Sequence, residues 1–101
     1  MDKNLLRQAQ QLQLKMAKMQ EELETAYVEA SSGGGMVKVT MSGKLKLESI
    51  KIDSQVVDQN DIAMLEDLIL AAVREGISSA QDLANKKMSE ITGGLNIPGT
   101  G

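Results

Sequence analysis

Histidine and cysteine are both absent from the 101 residues. Without them there is no Ser-His-Asp or Cys-His catalysis, no disulfide, and none of the common zinc sites. Phenylalanine and tryptophan are missing too, and Tyr27 is the single aromatic residue. Any core is therefore built from Leu, Ile, Val, Met and Ala, which bury less area per residue. The same scarcity argues against binding single strands by base stacking. No apolar run is long enough to cross a membrane, and Met1 leads directly into a charged amphipathic segment rather than a signal peptide, which predicts a cytosolic protein. With 42% hydrophobic and 25% charged residues, the composition is that of a soluble chain with room for one core. We expect a single domain over residues 1–92 and a loose tail over 93–101.

What is present is organised around the first helix, expected over residues 2 to about 24. Ala9, Met16 and Leu23 recur at one heptad position, and Leu5, Leu12 and Met19 at its partner. That alternation of four and three is the seam of a coiled coil. Strong helix formers fill the remaining positions, and the first Gly is Gly33. Such a helix is about 35 Å long, more than a compact domain of this length covers. Part of it should project or meet another chain, and a small aromatic-poor chain with an exposed stripe gains most by pairing with its own copy.

The net charge is −3, but the charges are segregated. Residues 1 to 20 hold Lys3, Arg7, Lys15 and Lys18 against Asp2 alone, whereas residues 53 to 82 hold seven acids against Arg74. Lys86 and Lys87 make the far end slightly basic again.

Residues 25 to 31 read as a short strand because Thr25, Tyr27 and Val28 are β-formers, although Ala26 and Ala30 continue the heptad and leave open a helix running to Ala30. Ser31 to Gly35 interrupts regular structure. Val37, Val39 and Met41 alternate with Lys38 and Thr40, the pattern of a half-buried antiparallel strand. Gly43-Lys44 is the expected turn into a strand carrying Leu45, Leu47, Ile50 and Ile52, whose apolar phase slips and places a bulge near Glu48-Ser49. A connector follows, with Asp58 or Asn60 as the expected cap of a second helix. The stripe of that helix runs from Ile62, Leu65 and Ile69 to Met88 and Ile91, and Gly76 marks a kink or a close crossing. Thr92-Gly93-Gly94 ends it. The expected fold is α+β, helix, three-stranded antiparallel sheet, helix (αβββα), two layers with both helices on one sheet face and their free, basic ends projecting. A dimer interface is expected from Val37, Val39 and Met41 together with Leu65 and Ile69.

The triple glycine is not a phosphate loop, since no strand leads into a helix there and no Gly-Lys-Ser or Gly-Lys-Thr follows. Asp58, Asp61, Glu66 and Asp67 are accounted for by helix capping and dipole stabilisation without a metal. No catalytic constellation appears elsewhere, so we expect a non-enzyme with no cofactor and no small-molecule substrate. Lys3, Arg7, Lys15 and Lys18 have a plain reading as a solvated helix face. Their alternative is contact with phosphates, the acidic middle of the chain being held away. A protein–protein adaptor, docking other helices on its apolar stripes, is the rival to duplex DNA binding.

Gln8-Ala9-Gln10-Gln11, the Lys15-Met16 and Lys18-Met19 repeat with Gln20-Glu21-Glu22-Leu23, and Gly33-Gly34-Gly35-Met36-Val37-Lys38-Val39-Thr40 form an ordered series. It continues with Ile52-Asp53, Met64-Leu65-Glu66-Asp67-Leu68 and Gly93-Gly94-Leu95-Asn96-Ile97-Pro98-Gly99. In order and spacing this series resembles the YbaB/EbfC family of bacterial nucleoid-associated proteins. The resemblance implies a homodimer built around paired sheets, with helical arms that hold double-stranded DNA like tweezers and act on nucleoid organisation and gene expression. It places the contacts at the arm tips, on Arg7, Lys15 and Lys18 of the first helix and on Lys86 and Lys87 of the last. Lys3 joins them from the charge pattern alone. No membrane partner is implied.

Overall fold

The structure is a computed structural model that describes residues 2–93. Its element order is α1 (Lys3–Glu24), β1 (Tyr27–Ser32), β2 (Val37–Ser42), β3 (Leu47–Ile52) and α2 (Ile62–Thr92), with short 3-10 turns at Gly33–Gly35 and Ser54–Val56. The αβββα arrangement is thus the expected one. The tail expected beyond Gly93 lies outside the described residues.

Asp2 starts α1, its carboxylate accepting from the Asn4 amide at 3.0 Å. The helix ends at Glu24, and Tyr27–Ser32 is strand, so the open choice between strand and continued helix falls to the β-formers. Asp61 caps α2, rather than Asp58 or Asn60, and accepts from the Met64 amide at 3.2 Å. Asp58 is occupied one turn earlier, where it accepts from the Asn60 amide at 2.9 Å. Both carboxylates are therefore engaged in local turns.

The sheet runs β1-β2-β3, antiparallel throughout. Ala30 pairs with Val39 and Val39 with Ile50, while Ser32, Val37 and Ile52 form the neighbouring row. Thr40 faces Ser49 but Met41 faces Leu47, leaving Glu48 as the extra residue of a bulge where the slip in phase placed it. The turn before it is longer than Gly43-Lys44: Leu45 donates back to the Ser42 carbonyl at 3.0 Å and lies at φ 66°. Ser42 Oγ accepts from the amides of Lys44 and Lys46, which satisfies the hydroxyl of this buried serine.

Both helices were expected on one face of the sheet; α2 alone covers it. Its first half packs on β1 and β2. Val37, Val39, Ala30, Val56 and Ala72 form the core there, with Leu65, Leu68, Ile69 and Val73 half-buried around them. A helix is about 10 Å wide and strands lie about 4.8 Å apart, so one helix roofs two strands and leaves the third open. α1 instead lies beside the second half of α2, running the opposite way and burying Met19 and Leu23. The result is elongated, 69 × 27 × 16 Å, with a radius of gyration of 19.2 Å. A compact chain of this length would have about 13 Å.

This packing bears on the expected partner surface. Val37, Val39 and Met41 are 0%, 1% and 2% exposed within the single chain, so they have no area left for a partner. Leu65 and Ile69 are half-buried against the same core. On the core face of the sheet, the large apolar side chains that remain open belong to the unroofed strand: Leu47, Ile50 and Ile52 are each about two-fifths exposed. Their pairing with Met41, Val39 and Val37 puts them on the same sheet face as the core.

Candidate nucleic-acid interface

From Lys3 to Gln20 the chain carries four cations and no acid. At about 100° per residue, Lys3, Arg7, Lys18 and Lys15 fall within an arc of roughly 120° on α1. The apolar stripe Leu5, Leu12, Met19 and Leu23 is centred about 125° from the middle of that arc. The stripe turns toward α2, so Lys3 and Arg7 are directed outward while Lys15 and Lys18 border the groove between the helices, and all four residues are exposed. Among the described residues the ion pairs are Lys46 with Glu48 and Lys87 with Glu22, so none of the four is held by an acid. Acids resume at Glu21 and Glu22, which sets the inner limit of the basic face.

The second helix contributes less. Lys86 is exposed, but Lys87 turns into the groove between the helices and meets Glu22 Oε2 at 3.5 Å. That groove is lined by Lys15 and Lys18 as well as Glu22, Lys87 and Glu90. The structure thus brings Lys15, Lys18 and Lys87 together and leaves Lys3 and Arg7 farther out along the arm. Lys87 braces the helix pair, an exposed contact worth about 1 kcal/mol or less. Lys44 braces it from the other side, donating to Gln20 Oε1 at 2.6 Å and tying the β2–β3 turn to α1.

A second surface, which alternation did not reveal, lies on the sheet. Leu47, Ile50 and Ile52 on the edge strand β3, with Val57, Ile62 and Leu70 nearby in sequence, are exposed large apolar side chains. β3 pairs with β2 on one edge and, among the described residues, with no strand on the other. Neighbouring strands with long helices on one side carry this signal in principle, since one helix cannot roof all three. The pattern of the strand itself is the same whether α2 or another chain covers it.

Among the described residues no three potential metal ligands converge, and no helix is long and apolar enough to cross a membrane.

Comparison with known proteins places the chain in a family. Residues 1–95 match the model of the YbaB/EbfC DNA-binding family. A nucleoid-associated protein of Syntrophobacter fumaroxidans is 54% identical over 96 residues, covering 95% of this chain and 87% of its own length. One from Thermoanaerobacter pseudethanolicus is 51% identical, with 95% and 86% covered. In fold, a crystal structure of a Helicobacter pylori protein superposes with a TM-score of 0.75 over 90% of this chain and 97% of its own, at 20% identity. An elongated αβββα chain with a cationic helical arm is the class of molecule seen here. This chain belongs to the YbaB/EbfC family.

Proposed function

We propose that this protein is a non-enzymatic, homodimeric, nucleoid-associated protein that binds duplex DNA through phosphate contacts from its basic arms. The carrying observation is the acid-free, exposed row of Lys3, Arg7, Lys15 and Lys18 on α1. Phosphates supply counter-charges at short intervals along a duplex, and releasing their condensed cations drives binding. Family membership and the names of the relatives support the same reading. Lys86 adds to the row from α2, and Lys87 contributes to its shape more than to its free charge. The dimer forms over the unroofed face of β3, because a second copy laid on Leu47, Ile50 and Ile52 removes the exposed apolar row that one helix leaves open. Held at the sheets, two copies carry their arms outward, and the acidic middle of each chain stays away from the polyanion.

Gel shifts at rising salt test this. The logarithm of affinity should fall linearly with the logarithm of salt concentration, by about 0.9 per phosphate neutralised. Binding indifferent to salt would remove the phosphate model.

The exposed Leu5 and Met16 on the arm favour a second reading, an adaptor that docks other helices. Partners retained from lysate after complete nuclease digestion would favour it, and their loss would favour DNA.

A further inference from the structure

Leu14 is 70% exposed, the most open of the large apolar side chains among the described residues. It stands about 180° around α1 from the stripe of Leu5 and Leu23. It therefore has no place in the packing of α1 against α2. Its face is the basic one: Arg7 lies about 20° from it around the helix and Lys18 about 40°, with Gln10 about 40° to its other side and Gln11 about 60° away, just past Lys18. A leucine in the middle of a phosphate-binding face gains nothing from phosphate. It gains only if that face meets something apolar.

We infer that α1 enters the major groove of duplex DNA, with Leu14 against thymine C5-methyl groups, Gln10 and Gln11 at base edges, and Arg7 and Lys18 on flanking phosphates. This rests on the DNA-binding reading and adds base contact to it. Arg7 and Lys18 are about 16.5 Å apart along the helix axis, with Leu14 between them. The major groove is about 12 Å wide and admits a helix, so with Leu14 on its floor the long side chains of Arg7 and Lys18, one toward each end of the contact, reach flanking phosphates. The minor groove, about 6 Å wide, does not admit one. Thymine methyl is the apolar group on the major-groove floor, and glutamine amides suit adenine edges, so adenine–thymine pairs are the favoured substrate.

The test measures affinity of the full chain for an alternating adenine–thymine duplex and for the same duplex with deoxyuridine in place of thymidine, which removes only the methyl groups. The wild type should bind the thymidine duplex more tightly, by about fourfold for each methyl contacted. Leu14→Ala should erase that preference while leaving the salt slope of binding unchanged. Leu14 is exposed, and alanine is the best helix former, so the variant should fold; its circular dichroism melt is run alongside. If wild type and variant bind both duplexes equally with the same salt slope, α1 lies along the backbone and the groove contact is wrong, while DNA binding stands. If Leu14→Ala alters the subunit mass in solution, Leu14 is a protein contact and the inference fails. If the wild type binds neither duplex at low salt, the functional reading fails as well.

Discussion

A Cβ placed on Gly43 would stand 2.6 Å from Leu23 Cδ2 and 3.2 Å from the Leu23 carbonyl oxygen. The end of the arm and the start of the β2–β3 turn meet here, backbone against side chain, with the Gly43 amide also donating to the Ala26 carbonyl at 2.8 Å. Gly43→Ala should force α1 away from the sheet and cost about 1–3 kcal/mol, the range for overpacking a filled site. A urea titration with a lowered midpoint and an unchanged slope is the expected result. A midpoint equal to wild type would mean the arm joint tolerates displacement.

Gly76 makes a second close approach, this time within the core. A Cβ there would lie 3.0 Å from Val39 Cγ2 and 3.8 Å from Met41 Cε. In Gly76→Ala the gain in helix propensity, about 1 kcal/mol, opposes the mild crowding, and the net change should be small. Gly76→Val adds branches into the same space and should cost about 2–3 kcal/mol. Thermal melts of the two variants that coincide would contradict this packing.

Replacing Ile50 or Ile52 by aspartate places a charge on the open face of β3, each site being about two-fifths exposed in the single chain. Since neither side chain is in the buried core, the subunit should keep its helical circular dichroism. Sedimentation should change from dimer mass to monomer mass, because an unpaired charge in an apolar interface is costly to bury. A variant that still sediments as a dimer would move the interface elsewhere.

Lys15 and Lys87 line one groove, yet Lys87 alone is paired with an acid, Glu22. Lys15→Gln should lower the salt slope of DNA binding by about 0.9 for each phosphate contact removed. Lys87→Gln should lower it less and reduce stability by about 1 kcal/mol or less. Equal slopes for the two variants would mean that Glu22 does not hold Lys87 out of the DNA contact.

Much of this was legible before any coordinates. Val37, Val39 and Met41 alternate with Lys38 and Thr40 because a strand sends successive side chains to opposite faces, and that rule needs no neighbour. The slip between Leu47 and Ile50 announced the bulge at Glu48 for the same reason. The site was less legible. Charge segregation isolated Lys3, Arg7, Lys15 and Lys18, but Lys87 looked equivalent to Lys86 until Glu22, 65 residues earlier in the chain, was found beside it.

By itself the sequence determined the order of elements, the absence of the usual catalytic groups and the concentration of positive charge on the first helix, because these depend on residue type and local spacing. Tertiary structure alone decided which apolar residues are core and which are left for a partner. Val39 and Ile50 face the same side in the same row, and nothing in their own strands distinguishes them. The difference arises because α2 is one helix wide and lies over β1 and β2, so Val39 is roofed and Ile50 is not.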